Sequence, residues 1–190
     1  MKTSIKISLI LLSLFGITPK ANAQTSPTKG LIKLSIGAES GISLGDFKNA
    51  YKANVGGSVQ ADLALGNNFH ALLNTGYMQF LGKDNAFGAG LSANDLHYLP
   101  VMTGIKYFPN AHFYLQAAAG AAFALNKSDV GFSKTAGFLY VPQAGYEFPL
   151  SKNSFIDAGI RYEATTKFIS NNSASKINFI GLRVAYGFNL

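Results

Sequence analysis

Eight stretches of this chain alternate between apolar and polar positions, and none carries charge on both faces of its middle. A side-chain period of two marks extended strands, whose successive residues point to opposite sides. The stretches run roughly 31–44, 54–65, 69–81, 97–108, 112–125, 137–148, 155–164 and 177–190. The last is the clearest. In GLRVAYGFNL (181–190), Leu182, Val184, Tyr186, Phe188 and Leu190 share one parity, against Arg183, Ala185, Gly187 and Asn189. A strand pattern carried to the last residue is expected where that strand must pair along its whole length, as barrel closure requires. Connections of three, three and five residues (66–68, 109–111, 149–153) alternate with longer ones (45–53, 82–95, 126–136, 165–176). Short alternating with long predicts an up-and-down antiparallel meander whose two ends differ, with no second domain.

The charged residues define one face of that meander. They are Lys33 and Glu39 in the first strand, Asp62 in the second and Lys106 in the fourth. Glu147 follows in the sixth, Asp157, Arg161 and Glu163 in the seventh, and Arg183 in the eighth. Gln60, Asn74, Gln116 and Gln143 share the same parity, as do many glycines. A soluble ligand-binding barrel would turn this face to water, whereas an outer-membrane barrel turns it inward and meets lipid with the apolar one. Three features favour the second. Small residues on the charged face suit the crowded interior of an eight-stranded barrel. Positive and negative groups on it nearly balance. Aromatics such as Phe69, Tyr107, Phe148, Tyr77, Phe138 and Tyr140 gather near strand ends, as in an interfacial girdle. The expectation is an all-β, eight-stranded transmembrane β-barrel.

The N-terminus supports export. MKTSIK is followed by the apolar run 7–17 and then by Ala21-Asn22-Ala23, small residues at the positions a signal peptidase reads. The run is too short to cross a membrane, since eleven helical residues span about 16 Å against about 30 Å of hydrocarbon. A signal peptide over 1–23 and a barrel domain over 24–190 are therefore expected. Losing Lys2, Lys6 and Lys20 lowers the formal charge from +7 to +4 (seven minus three), too little and too diffuse to suggest nucleic acid. The chain has no cysteine, hence neither disulfides nor thiolate metal sites.

The stretches LGDF (44–47), LPVMTGIKYF (99–108), FLYVPQAGYEF (138–148), AGIRYE (158–163) and FIGLRVAYGF (179–188), in that order, carry a family likeness. Through them the chain resembles the small eight-stranded outer-membrane β-barrel proteins of OmpX/OmpA-barrel type, in their single-domain bacterial branch. The resemblance implies residence in the outer membrane among lipid and lipopolysaccharide, as a monomer. It also implies that an aromatic near the C-terminus is read by the barrel-assembly machinery. Tyr186, Phe188 and Leu190 are the residues that match, although the chain ends in Asn189-Leu190 rather than on the aromatic itself.

Function is read from sites rather than from the fold. An eight-stranded lumen holding nine charged groups is expected to be a structural ion-pair network, not a general pore. Some barrels of this size modify lipid A, and that enzymatic reading depends on a histidine placed with a serine and an acid near the outer rim. Of His70, His97 and His112, only His97 falls at that end, with Asp95 nearby, and none has a serine at the required spacing. No His, Asp or Glu grouping shows metal-ligand spacing, and no cofactor is expected. What remains is a structural or surface-interaction role carried by four exterior loops. Those loops hold Lys48, Lys52, Lys83, Lys127, Lys134, Lys167 and Lys176 against Asp46, Asp84, Asp95 and Asp129, a surplus that suits either a rim facing anionic lipid or ordinary solvated loops. The loops at 82–95 and 165–176, rich in Gly, Ser and Asn, are expected to tolerate insertion best.

Overall fold

The computed structural model describes residues 30–190, so the expected signal segment lies outside the described residues. Within them the strands are β1 (Ile32–Ser43), β2 (Tyr51–Gly66), β3 (Phe69–Gly82), β4 (Leu96–Tyr107), β5 (Phe113–Ala124), β6 (Ala136–Pro149), β7 (Ser154–Thr165) and β8 (Asn178–Asn189). Each pairs antiparallel with its chain neighbours, and β8 returns to β1, closing the barrel. The largest departure from the alternation is at β2, which begins at Tyr51. A bulge between Tyr51 and Asn54 breaks the period of two there and hides the start of the strand.

Local chemistry sets the register. Asn67 and Asn68 both take positive φ (51° and 66°), the left-handed pair that a two-residue hairpin turn needs, and they tie β2 to β3. At the closing seam Glu39 stands directly opposite Arg183 and Ile36 opposite Tyr186. A slip of one residue would send every lumen charge into the lipid and every apolar side chain inward, so the pattern itself enforces the register. Two prolines interrupt ladders. The β3–β4 pairs jump from Thr75↔Val101 to Met78↔Tyr98 around Pro100, and the β6–β7 pairs jump from Tyr140↔Ala164 to Gln143↔Arg161 around Pro142. Proline has no N–H to offer the neighbouring strand at those points.

The faces are the reverse of those in a soluble barrel. Ile36, Leu73, Leu182 and Val184 are more than half exposed on the outside, and the charged residues are buried inside. An apolar belt encircling the whole barrel cannot remain in water and is matched by lipid. The soluble ligand-binding alternative therefore fails on exposure alone.

Candidate functional site

All nine charged residues expected on the inner face meet there, in one unbroken run of ion pairs. Lys33 Nζ lies 2.6 Å from Glu147 Oε2. Lys106, fully buried, reaches Asp62 Oδ2 at 2.8 Å, Glu147 Oε1 at 3.3 Å and Asp157 Oδ2 at 3.3 Å. Arg183 continues the run through Asp157 Oδ2 (3.7 Å) and Glu39 Oε1 (3.5 Å). Arg161 pairs with Glu39 and approaches Glu163 Oε2 at 4.0 Å. Five carboxylates and four cations thus hold one another where a lone charge would be strongly penalised.

Neutral groups extend the network. Arg183 donates from Nε to Ser58 Oγ and from Nη2 to Ser35 Oγ, each at 3.0 Å. Tyr114 O–H donates to Asp157 Oδ1 at 2.7 Å and accepts from Gln143 Nε2 at 2.6 Å. Room for that tyrosine comes from Gly145 and Gly159, which face each other across β6 and β7. A Cβ on Gly159 would lie 2.7 Å from the Tyr114 hydroxyl, too close to accommodate without movement. Lys106 Nζ sits 4.3 Å from the centre of the same ring, which adds a cation–π contact to its three carboxylates.

Towards the long-loop end the lumen changes character, and this was not read from the sequence. Met78, Phe80, Leu96, Tyr98, Leu139 and Phe179 point inward from the strands, and all are essentially inaccessible. The loops then contribute their own rings. Phe47, from a short 3-10 helix (Gly45–Asn49), stacks on Tyr51 at 4.5 Å and meets Phe80 edge-on at 5.3 Å. Phe132 and Phe168, from the connections 125–135 and 166–177, stack on each other at 4.9 Å. The inside of the barrel is therefore layered, with a charged layer under an aromatic plug. Tyr98 joins the layers by donating its O–H to Glu163 Oε1 at 2.5 Å. The available signal was parity, because Phe80, Tyr98 and Phe179 share the lumen parity of their strands.

The 166–177 connection is consequently not the open loop expected from its composition. Phe168 and Ile177 are fully buried. Ser175 Oγ accepts from Ile169 N–H at 2.9 Å and donates to Asn172 O at 2.7 Å. Ser and Asn here build turns rather than slack. The 83–95 connection differs, with Phe87 and Leu91 exposed and open space around Gly88.

The histidines are separated. His70 is buried against Phe108, with ring centres 5.0 Å apart, and His112 lies beside Tyr146. His97 hydrogen-bonds Tyr77 on the outside of the barrel. Asp95 does not join it, since its carboxylate accepts from Gln79 Nε2 at 2.7 Å and from Gly82 N–H at 2.8 Å. Among the described residues no group of three or more His, Asp or Glu is placed to hold a metal ion. Tyr186, Phe188 and Leu190 project from the outer face at the short-turn end, each at least 38% exposed.

The outer membrane protein beta-barrel domain family matches residues 7–188. No curated protein matches the chain. Similar solved structures include Ail, the attachment invasion locus protein of Yersinia pestis, at TM-score 0.54 and 16% identity, covering 86% of this chain and 100% of that one. OprG of Pseudomonas aeruginosa aligns at TM-score 0.56 and 12% identity, covering 85% and 96%. Neisserial surface protein A aligns at TM-score 0.54 and 17% identity, covering 85% and 97%. At these identities the likeness is one of fold.

Proposed function

We propose, because this chain belongs to the outer membrane protein beta-barrel domain family and so resides in the bacterial outer membrane, that its work is structural and interactive. That work is done at the cell surface by the loops rather than through the lumen. The observation that carries this reading is the layered interior. Nine paired charges occupy the inner part, and Phe47, Phe80, Phe132 and Phe168 occupy the mouth. Ions or solutes would have to break both layers to pass. Catalysis has no support from geometry, since Asp95 and His97 face different partners.

The reading includes export by a signal peptide over 1–23, with the barrel over 24–190 inserted as a monomer. Tyr186, Phe188 and Leu190 would present the assembly machinery with an outward aromatic-apolar edge. The outer loops would meet lipopolysaccharide. The test is reconstitution of the folded protein into planar bilayers containing lipid A. No stable single-channel conductance is expected, and the mass of the recovered lipid A should be unchanged. Steady conductance steps, or an acyl chain gained or lost, would defeat the proposal.

A further inference from the structure

The connections 125–135 and 166–177 meet above β6, and their meeting concentrates cations. Lys134 from the first, and Lys167 and Lys176 from the second, line one cleft of about 570 Å³ together with Ser170, Phe138 and Tyr140. Backbone bonds fix the arrangement. Lys134 N–H donates to Phe168 O at 3.0 Å, and Thr166 N–H donates to Phe138 O at 2.8 Å. Phe138 N–H in turn donates to Thr166 Oγ1 at 3.0 Å. Because Phe168 is anchored in the aromatic plug, the neighbouring Lys167 is held by a rigid support.

These lysines lack the ion pairs that three others of the barrel make; Lys48, Lys83, Lys127 and Lys152 also lack one but do not line this cleft. Lys52 has Asp84 at 3.5 Å, and Lys33 and Lys106 have their lumen carboxylates. Among the described residues, no carboxylate comes within 4.0 Å of Lys134, Lys167 or Lys176. The 166–177 segment contains no acid at all. Three like charges around one cleft repel one another, and a multivalent anion would reverse the sign of that interaction. Position narrows the choice of anion. Phe138 and Tyr140 are 55% and 42% exposed on the lipid-facing side of β6, so the cleft opens onto the aromatic belt of the membrane interface. Its occupant needs anionic oxygens for the lysines and an apolar part for the rings.

We propose that this cleft is a binding site for a phosphorylated glycolipid of the outer leaflet. Its phosphate is held by Lys134, Lys167 and Lys176, and its sugar and first acyl carbons lie on Tyr140 and Phe138. The proposal rests on the surface-interaction reading and gives it a partner and a seat. Conductance would sink that reading without touching the cleft, whereas lipid binding is measured separately.

The experiment titrates the folded mature protein in detergent with bisphosphorylated lipid A and with the same lipid dephosphorylated, reading occupancy by native mass spectrometry. The dephosphorylated lipid should bind about tenfold more weakly or worse. The triple variant Lys134→Gln/Lys167→Gln/Lys176→Gln should lose affinity to a similar degree. Removing the same charge elsewhere, by Lys48→Gln/Lys83→Gln/Lys127→Gln, should change it by no more than about twofold. Equal losses from the two triples, or equal binding of the two lipids, overturns the site. Displacement of the lipid by inorganic phosphate or heparin at comparable concentration also overturns it, because the cleft would then serve a soluble polyanion. The two-lipid comparison needs no variant, so it decides the matter even if the first triple fails to fold.

Discussion

Arg183 and Val184 are neighbours in sequence and opposites in environment. The arginine is fully buried among Glu39, Asp157, Ser35 and Ser58, and the valine is 53% exposed to the lipid side. In the ladder Arg183 stands opposite Gly159 and Asp157 opposite Ala185, two residues apart, and the reach of the guanidinium closes the gap to 3.7 Å. Removing one partner of such a buried pair costs about 3–5 kcal/mol, so Arg183→Met should destabilise the barrel by that order. Adding Asp157→Asn should restore much of the loss, because the amide oxygen still accepts from Tyr114. Val184→Arg places a charge in the apolar belt and should cost about 2–4 kcal/mol near the midplane. All three are measured by urea unfolding in lipid vesicles. A neutral Val184→Arg beside an unrescued Arg183→Met would mean that the faces are wrongly assigned.

At the scale of elements, the connections at the long-loop end divide by what they bury. The 83–95 loop keeps Phe87 at 67% exposed and has positive φ at Asn85, Gly88, Ala89 and Gly90, a path of successive turns with little packed beneath it. The 166–177 segment buries Phe168 and folds a 3-10 turn (Ser173–Ser175) whose Ser175 is itself buried. Insertion tolerance follows burial of the affected backbone rather than composition. A short Gly-Ser insertion after Gly88 should leave folding yield intact. The same insertion after Phe168 should lower the yield, because it displaces the ring stacked on Phe132. The readout is the fraction refolded into vesicles and protected from protease. Equal tolerance at both sites would show that the aromatic plug contributes little to stability.

For the whole molecule the decisive feature is closure. Eleven β1 residues from Lys33 to Ser43 pair with β8, so the ladder has no free edge through which detergent could unzip it. The folded protein should therefore survive SDS at room temperature and shift mobility on boiling. Identical migration before and after boiling would argue against a closed barrel. The same closure carries charge, because Glu39 and Arg183 face each other across the seam between the first and last strands. A lumen network that spans this seam links the ends of the chain inside the barrel as the ladder does outside. At the mouth, by contrast, loop residues Phe47, Phe132 and Phe168 are buried in the core, so the loops that bear the cleft lysines also pack into the end of the barrel.

The sequence alone determined the strands, their order, the inward face and all nine lumen charges. Each of these follows from a local rule: a period of two, turn residues between periods, and the cost of placing charge in lipid. Lys106 could be assigned to the interior from its neighbours Ile105 and Tyr107, and Arg183 from Leu182 and Val184, without knowing any partner. Which charges touch which was decided only by the tertiary structure. Barrel tilt and stagger bring Lys33 to Glu147 across 114 positions and Arg161 to Glu39 across 122. The loop-borne part of the aromatic plug was likewise invisible, because Phe47, Phe132 and Phe168 lie in connections that carry no period. Their burial depends on a hole that exists only once the sheet has closed. The cleft of Lys134, Lys167 and Lys176 depends on the same event, since two loops distant in sequence become neighbours only above a completed ring of strands.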